Sequence, residues 1–197
     1  MSIVIRAPRL SDVERLAVVN VEAWQHAYAG LVVQQRLDAM GLDEYHARWR
    51  SNITDPHDER IFLVAEVLGV VAAYAISGPY RPQDETDETP DTAGLGEVYA
   101  LYAHPTMQGR GVGRALHDEL LARLARQGYA DLALWVLRDN ERGRAWYERQ
   151  GWRTDGATSD WVAHEVAHPE VRMRRRTPDR ASGALLGQDD GDGDSLV

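Results

Sequence analysis

Runs rich in β-branched and apolar residues alternate with segments of helical periodicity along this chain. That pattern predicts a mixed α/β (α+β) domain, with helices packed on a central sheet. The composition agrees: of 197 residues, 44% are hydrophobic and 27% charged, enough for one sizeable core. No apolar run approaches the roughly 18 residues that cross a bilayer, so no membrane partner is expected. One domain is assigned to residues 1–176. The tail, 177–197, lacks hydrophobic periodicity and is expected to be disordered.

The elements follow in order. "IVIRA" (3–7) is a first strand. Ser11 and Glu14 have the spacing of a capping box. They open a helix from Asp12 towards Tyr28, with Val13, Leu16, Ala17, Asn20, Val21 and Trp24 along one face. "LDEYHARWRSNI" (42–53) is a second, shorter helix. Residues 60–77 hold two strand runs broken at Leu68-Gly69, which marks a hairpin. The Pro- and acid-rich stretch 78–94 reads as a mobile loop. "LGEVYALYAHP" (95–105) is a strand that Pro105 ends. A helix over 111–127 stops at Gly128, a strand covers 130–138, and a helix over 140–150 closes at Gly151. The last of two C-terminal strands covers 170–176.

The formal charge of −9 is concentrated in two places. Residues 81–91 carry five acids and one Arg, and residues 177–197 carry five Asp and one Arg. The folded body is therefore nearly neutral, and without a basic face no nucleic-acid partner is expected. The run Arg172, Arg174, Arg175 and Arg176 reads as the solvated end of the last strand. The acidic loop 84–91 would either steer a cationic ligand or serve as a solvated connector. The chain has no cysteine, which excludes disulfides, thiolate metal sites and a cysteine nucleophile. The N-terminus lacks the pattern of a signal peptide, so a cytoplasmic location is expected. His46, His104, His117, His164 and His168 show no metal-ligand spacing, and no metal is expected.

The stretch "HPTMQGRGVGRALHDELLARL" (104–124) places three glycines in five residues at the mouth of an amphipathic helix. A dinucleotide fingerprint would need a small residue where Arg114 or Leu116 stands. A Walker loop would need Lys-Ser/Thr after Gly113, where Arg114-Ala115 follow. Two readings remain: a simple turn, or a loop whose N–H groups wrap a diphosphate at the positive end of the helix.

The residues around the loop choose between them. Gln108, Gly111 and Gly113 match Gln/Arg-x-x-Gly-x-Gly/Ala, which resembles motif A of the GNAT superfamily of N-acetyltransferases. Downstream, Asn140 and "RAWYERQGWR" (144–153) resemble the family's second signature, with Asn140 and Tyr147 seven residues apart on one helical face. "IRAPRLSDVERLAVVNVEAWQHAYAG" is similar to the family's first strand and acceptor-side helix. The resemblance covers about residues 3–176. It implies a bent mixed sheet of six or seven strands, two of them splayed at the centre to admit acetyl-CoA, with about four helices. The backbone of Leu101, Tyr102 and Ala103 would pair with the pantetheine arm and stabilise the oxyanion. Gln108, Gly109, Arg110, Gly111, Val112, Gly113 and Arg114 would form the diphosphate loop. Asn140 would hydrogen-bond the pantetheine, and Tyr147 would protonate the departing thiolate.

An amine nucleophile must lose a proton. Some family members place an acid five residues before the position of Asn140, but here that residue is Trp135. Others place a Glu six residues before the position of Ala103, which is Glu97, and Glu97 is the expected base. Trp24, His26 and Tyr28 end the first long helix, which lines the acceptor cleft in this family. The reading is an acetyl-CoA-dependent N-acetyltransferase working by direct attack of a small-molecule or peptide amine. The alternative is a catalytically silent acyl-CoA-binding module of the same fold. The acceptor, the acyl length and a homodimer are left open by the sequence.

Overall fold

The computed structural model describes residues 1–55, 59–83, 89, 92 and 94–177. The acidic residues 84, 85, 87, 88 and 91, and the tail from residue 178, lie outside the described residues. The elements are β1 (Ile3–Arg6), α1 (Val13–Tyr28), α2 (Gln34–Asp38), α3 (Leu42–Thr54), β2 (Ile61–Val67), β3 (Val70–Pro79), β4 (Leu95–Ala103), α4 (Val112–Arg126), β5 (Asp131–Leu137), α5 (Glu141–Arg149), β6 (Arg153–Ala163) and β7 (Val166–Arg176).

Seven strands form one mixed sheet in the order β1-β2-β3-β4-β5-β7-β6. Strands β1 to β4 are an antiparallel meander, β4 and β5 run parallel, and β5, β7 and β6 are antiparallel again. The β2–β3 turn puts Leu68 at φ 53° and Gly69 at φ 80°, the left-handed pair that a two-residue hairpin needs. On one face, Leu116, Leu120, Leu121 and Leu124 of α4 pack on Leu132 and Leu134 of β5, Trp152 and Met173. On the other, Leu16, Ala17 and Val19 of α1 pack with Tyr45 and Trp49 of α3 against Val64 and Tyr74. Period 2 in the strands and period 3.6 in the helices meet at these two cores.

The sheet opens at its centre. Strands β4 and β5 pair only through Leu95–Asp131, Gly96–Leu132 and Glu97–Ala133. Just beyond, β4 carries an extra residue against β3: Ser77 faces Val98 and Ile76 faces Ala100, so Tyr99 is a bulge. A bulge bends its strand and increases the local twist, which turns β4 away from β5. The rest of β4 keeps β3 on one edge and, among the described residues, has no strand on the other.

Several local expectations are corrected. The Ser11–Glu14 capping box does not form. A 3-10 turn, Leu10–Asp12, precedes α1. The Asp12 carboxylate accepts hydrogen bonds from the Arg9 N–H (2.7 Å) and from both terminal nitrogens of Arg6 (2.7 and 2.9 Å). Burial would raise this carboxyl, but the Arg6 and Arg9 hydrogen bonds hold it below the usual range. Helix α2 escaped the sequence reading because a five-residue helix carries too little periodicity. The loop expected at 78–94 is shorter: β3 continues through Pro79, and the Tyr80 N–H bonds to the Leu95 carbonyl at 2.9 Å. The last strand starts at Val166, after a turn in which His164 and Glu165 have φ 48° and 63°. Arg172 is not solvated but buried, bonded to Asp155 (2.9 Å) and the Tyr80 hydroxyl (2.9 Å).

Candidate active site

The split between β4 and β5 is the floor of a cleft of about 530 Å³, walled by α1, the loop after β4, and α5. The loop is anchored first. His104 is buried, its Nε2 lies 2.7 Å from the Glu22 carboxylate on α1, and its Nδ1 lies 2.8 Å from the Thr106 hydroxyl. Gly109 and Gly111 then take φ +73° and +81°, where side chains are strained. A Cβ built at either would meet nothing within 4 Å, so the space beside this backbone is open to a ligand. Gly111 is the N-cap of α4 and contributes no side chain, leaving the first N–H groups of that helix facing the cleft. Gly113 has no left-handed φ, and a Cβ there would rest 3.9 Å from Trp146.

Helix α5 forms the opposite wall, and none of its residues is fully buried. Asn140 is its N-cap: Oδ1 accepts from the Gly143 N–H at 2.9 Å, and its Nδ2 donors are left to reach a ligand. Tyr147 sits seven residues on, its ring against Trp146 (5.0 Å) and Trp152 (6.0 Å). It lines the cleft, and burial pushes its phenol up, which keeps the proton on oxygen at neutral pH. Arg142, on the first turn of α5, reaches across the cleft to His26 Nε2 (3.1 Å) and to the Gln108 side-chain oxygen.

Most of the expected site residues share this cleft. His26 and Tyr28, Leu101, Tyr102 and Ala103, Gln108, Gly109, Gly111, Gly113 and Arg114, and Asn140 with Tyr147 all line it. Four do not. Arg110 is exposed outside the lining, and the Val112 side chain is in the core, so Val112 can serve only through its N–H. Trp24 stands behind the wall, packed on Tyr28 (4.7 Å), Tyr102 (5.9 Å) and Trp161 (5.8 Å). Glu97 is 2% exposed. One of its oxygens accepts from the Arg81 backbone N–H at 2.8 Å, and the other from the Arg81 guanidinium at 2.7 Å. Sequence reasoning missed Trp146, whose only signal is its place beside Tyr147, and Arg142, whose partners on α1 and the loop are far away in the chain.

The α1 side of the cleft is aromatic. The Tyr28 and Tyr102 hydroxyls are 2.9 Å apart, and burial raises both phenols. Trp161 of β6 closes over Trp24 and stacks on His168 of β7 (5.4 Å). Thus the β6–β7 hairpin packs behind the cleft wall through Trp161 and Trp24, and the glycine loop borders the cleft itself.

Comparison with known proteins agrees with this architecture. The model of the acetyltransferase (GNAT) family matches residues 21–152. An uncharacterized N-acetyltransferase of Bacillus subtilis, YuaI, is 26% identical over 138 residues, 70% of this chain and 73% of its own length. In fold, the chain is similar to the paiA N-acetyltransferase of Thermoplasma acidophilum, solved with coenzyme A, at TM-score 0.70 and 20% identity, covering 89% of this chain and 99% of that one. It is also similar to yncA of Salmonella typhimurium, solved with acetyl-CoA, at TM-score 0.65 and 20% identity over 91% and 96% of the two chains. A sheet split between two parallel central strands, a glycine loop at a helix mouth and a family match over most of the folded body lead to one conclusion: the chain belongs to the GNAT family of acetyltransferases.

Proposed function

We propose that this protein transfers the acetyl group of acetyl-CoA to the nitrogen of a small-molecule or peptide amine, by direct attack and without a covalent enzyme intermediate. One observation carries the reading. The cleft places an unpaired strand edge, a loop of open N–H groups and a protonated tyrosine side by side. The N–H groups of residues 109–114 suit the diphosphate, with Arg114 at the rim. The free edge of β4 at Leu101 to Ala103 suits the pantetheine amides, as an added strand would, and can donate to the oxygen on which charge develops. Asn140 Nδ2 supplies a further donor. Tyr147 gives its proton to the sulfur as the carbon–sulfur bond breaks. Glu97, the base expected from sequence, is turned to Arg81, and its part in proton removal is exerted at one remove.

The test has two steps. Calorimetric titration with acetyl-CoA should show binding, with ATP and NAD bound far more weakly. A screen of amines by mass spectrometry should then find at least one acceptor gaining 42 Da, the mass of one added acetyl group less a hydrogen (about 42 Da for any such transfer, by the stoichiometry of the reaction). Binding of acetyl-CoA without transfer to any amine would make the protein a silent member of its family.

A further inference from the structure

Strand alternation puts Trp135 and Leu137 of β5 on the α1 face of the sheet, together with His168, Glu170 and Arg172 of β7. Glu170 stands opposite Leu137 on one side and Ser159 on the other, one strand beyond the split. It is partly buried. Its carboxylate is near enough to act electrostatically on two groups: the Tyr28 hydroxyl, which lines the cleft, and the Glu97 carboxylate. The two acids differ in their partners. Glu97 has Arg81, whereas Glu170 makes no ion pair or hydrogen bond among the described residues. Arg172, two residues along β7, binds Asp155 and Tyr80.

A second observation points to the same place. Trp135 Nε1 and His168 Nε2 are buried and have no hydrogen-bond partner among the described residues. They flank Glu170 on its own face. A buried polar atom left unpaired costs about 1–3 kcal/mol, a cost that a bound polar group would remove.

We propose that Glu170, with Trp135 and His168 beside it, receives the ammonium group of the acceptor and takes its proton. This deepens the acetyl-transfer reading above and rests on it. The step balances as follows. The ammonium gives one proton to the Glu170 carboxylate, and the freed lone pair forms the carbon–nitrogen bond at the thioester carbon. The carbon–sulfur bond breaks, and the thiolate takes the Tyr147 proton. The nitrogen's second proton returns to the Tyr147 oxygen, and Glu170 releases the first to solvent. One amide, one thiol and one proton result.

The surroundings suit a base that works near neutral pH. Burial, and then the negative charge of Glu97, push the Glu170 carboxyl up to about 7. From β4 the charge of Glu97, which carries Arg81, acts on it. On α1 its own charge acts on Tyr28, hydrogen-bonded to Tyr102. On β7 its neighbours are His168 and Arg172, the latter paired with Asp155 of β6. In this arrangement Glu97 is a positioning residue that acts through Glu170.

The first measurement needs no acceptor. In protein labelled with ¹³C at the glutamate carboxyls, one resonance should titrate with a midpoint near 7. Glu170→Gln should remove it, and Glu97→Gln should move it towards the ordinary glutamate range. If no carboxyl titrates near 7, or if one does so in Glu170→Gln as well, the proposal is overturned. The second measurement uses the primary amine that turns over fastest in a screen of alkyl and aryl amines. At neutral pH, Glu170→Gln should lower kcat/KM for it by about 100-fold. Glu170→Asp should recover part of the rate, and acetyl-CoA affinity should be unchanged. Equal kcat/KM in wild type and Glu170→Gln overturns the proposal. A folded protein that binds acetyl-CoA but acetylates no amine overturns the reaction instead, and the carboxyl titration then decides on Glu170 separately.

Discussion

The two halves of the cleft are built from different materials. The half proposed for the donor is mostly main chain, taken from one continuous stretch: the end of β4, the glycine loop and the first turn of α4. The half proposed for the acceptor is mostly side chains, gathered from α1, β4 and β5, with Trp24 packed behind it and Glu170 one strand beyond β5, residues from opposite ends of the domain. Main-chain recognition constrains conformation rather than side-chain chemistry, so a few glycines at fixed spacing suffice. Side-chain recognition leaves no such spacing. Each residue there can be exchanged without disturbing the backbone, and a family can change acceptors while keeping its donor.

Substitutions can break this division at its strongest point first. Tyr147→Phe keeps the ring against Trp146 and Trp152 and removes the proton that we propose is given to sulfur. Its kcat should fall about 10- to 1,000-fold for every acceptor, with acetyl-CoA affinity nearly unchanged. A stopped assay of thiol release across several amines checks it, and a loss confined to one amine would move Tyr147 to the acceptor half.

Gly111→Val forces a β-branched residue to φ +81° and fills space that is open beside the loop. Acetyl-CoA should bind about 10- to 100-fold more weakly in a domain that still folds, a change readable by calorimetry together with circular dichroism. Wild-type affinity in that variant would detach the glycine loop from donor binding.

Glu170 gives a third test, through stability. Its folded-state carboxyl is raised, so the stability it contributes is complete below its ordinary value of 4.5 and is lost as pH rises through about 7. Glu170→Gln should therefore leave stability unchanged at pH 4 and increase it at pH 8. With solvent screening discounted, the gain is on the order of 1–2 kcal/mol. Urea unfolding at the two pH values measures the difference, and an equal effect at both would remove the raised carboxyl. The smallest effect is expected at the seam. Arg142→Ala cuts the link from α5 to His26 and Gln108, and should change KM for donor and acceptor by only about two- to fivefold, as an exposed contact would.

The family and most of the elements were legible in the chain because they depend on local rules. Gln108, Gly111 and Gly113 carry the resemblance to the family's glycine motif, and the positive φ at Gly109 and Gly111 is a conformation that glycine permits. Leu68-Gly69 announced its hairpin for the same reason. Asn140 and Tyr147 were legible from the resemblance to the family's second signature, and helical pitch added that they share one face. The capping of α1 was misread because the sequence does not reveal that Arg6 would reach Asp12 and give the acid a stronger partner than a serine hydroxyl offers.

By itself, then, the sequence determined the alternation of elements, the glycine loop and the tyrosine that faces it, all matters of neighbours within one or two turns of chain. The tertiary structure decided the rest. It decided that β4 and β5 part after Glu97, because a bulge at Tyr99 is visible only in the register with β3. It gave Glu97 to Arg81 and left Glu170 without a cation among the described residues, although both read alike as acids in strands. The charge state of a carboxylate depends on what surrounds it in space, and no spacing along the chain records which strands will lie side by side.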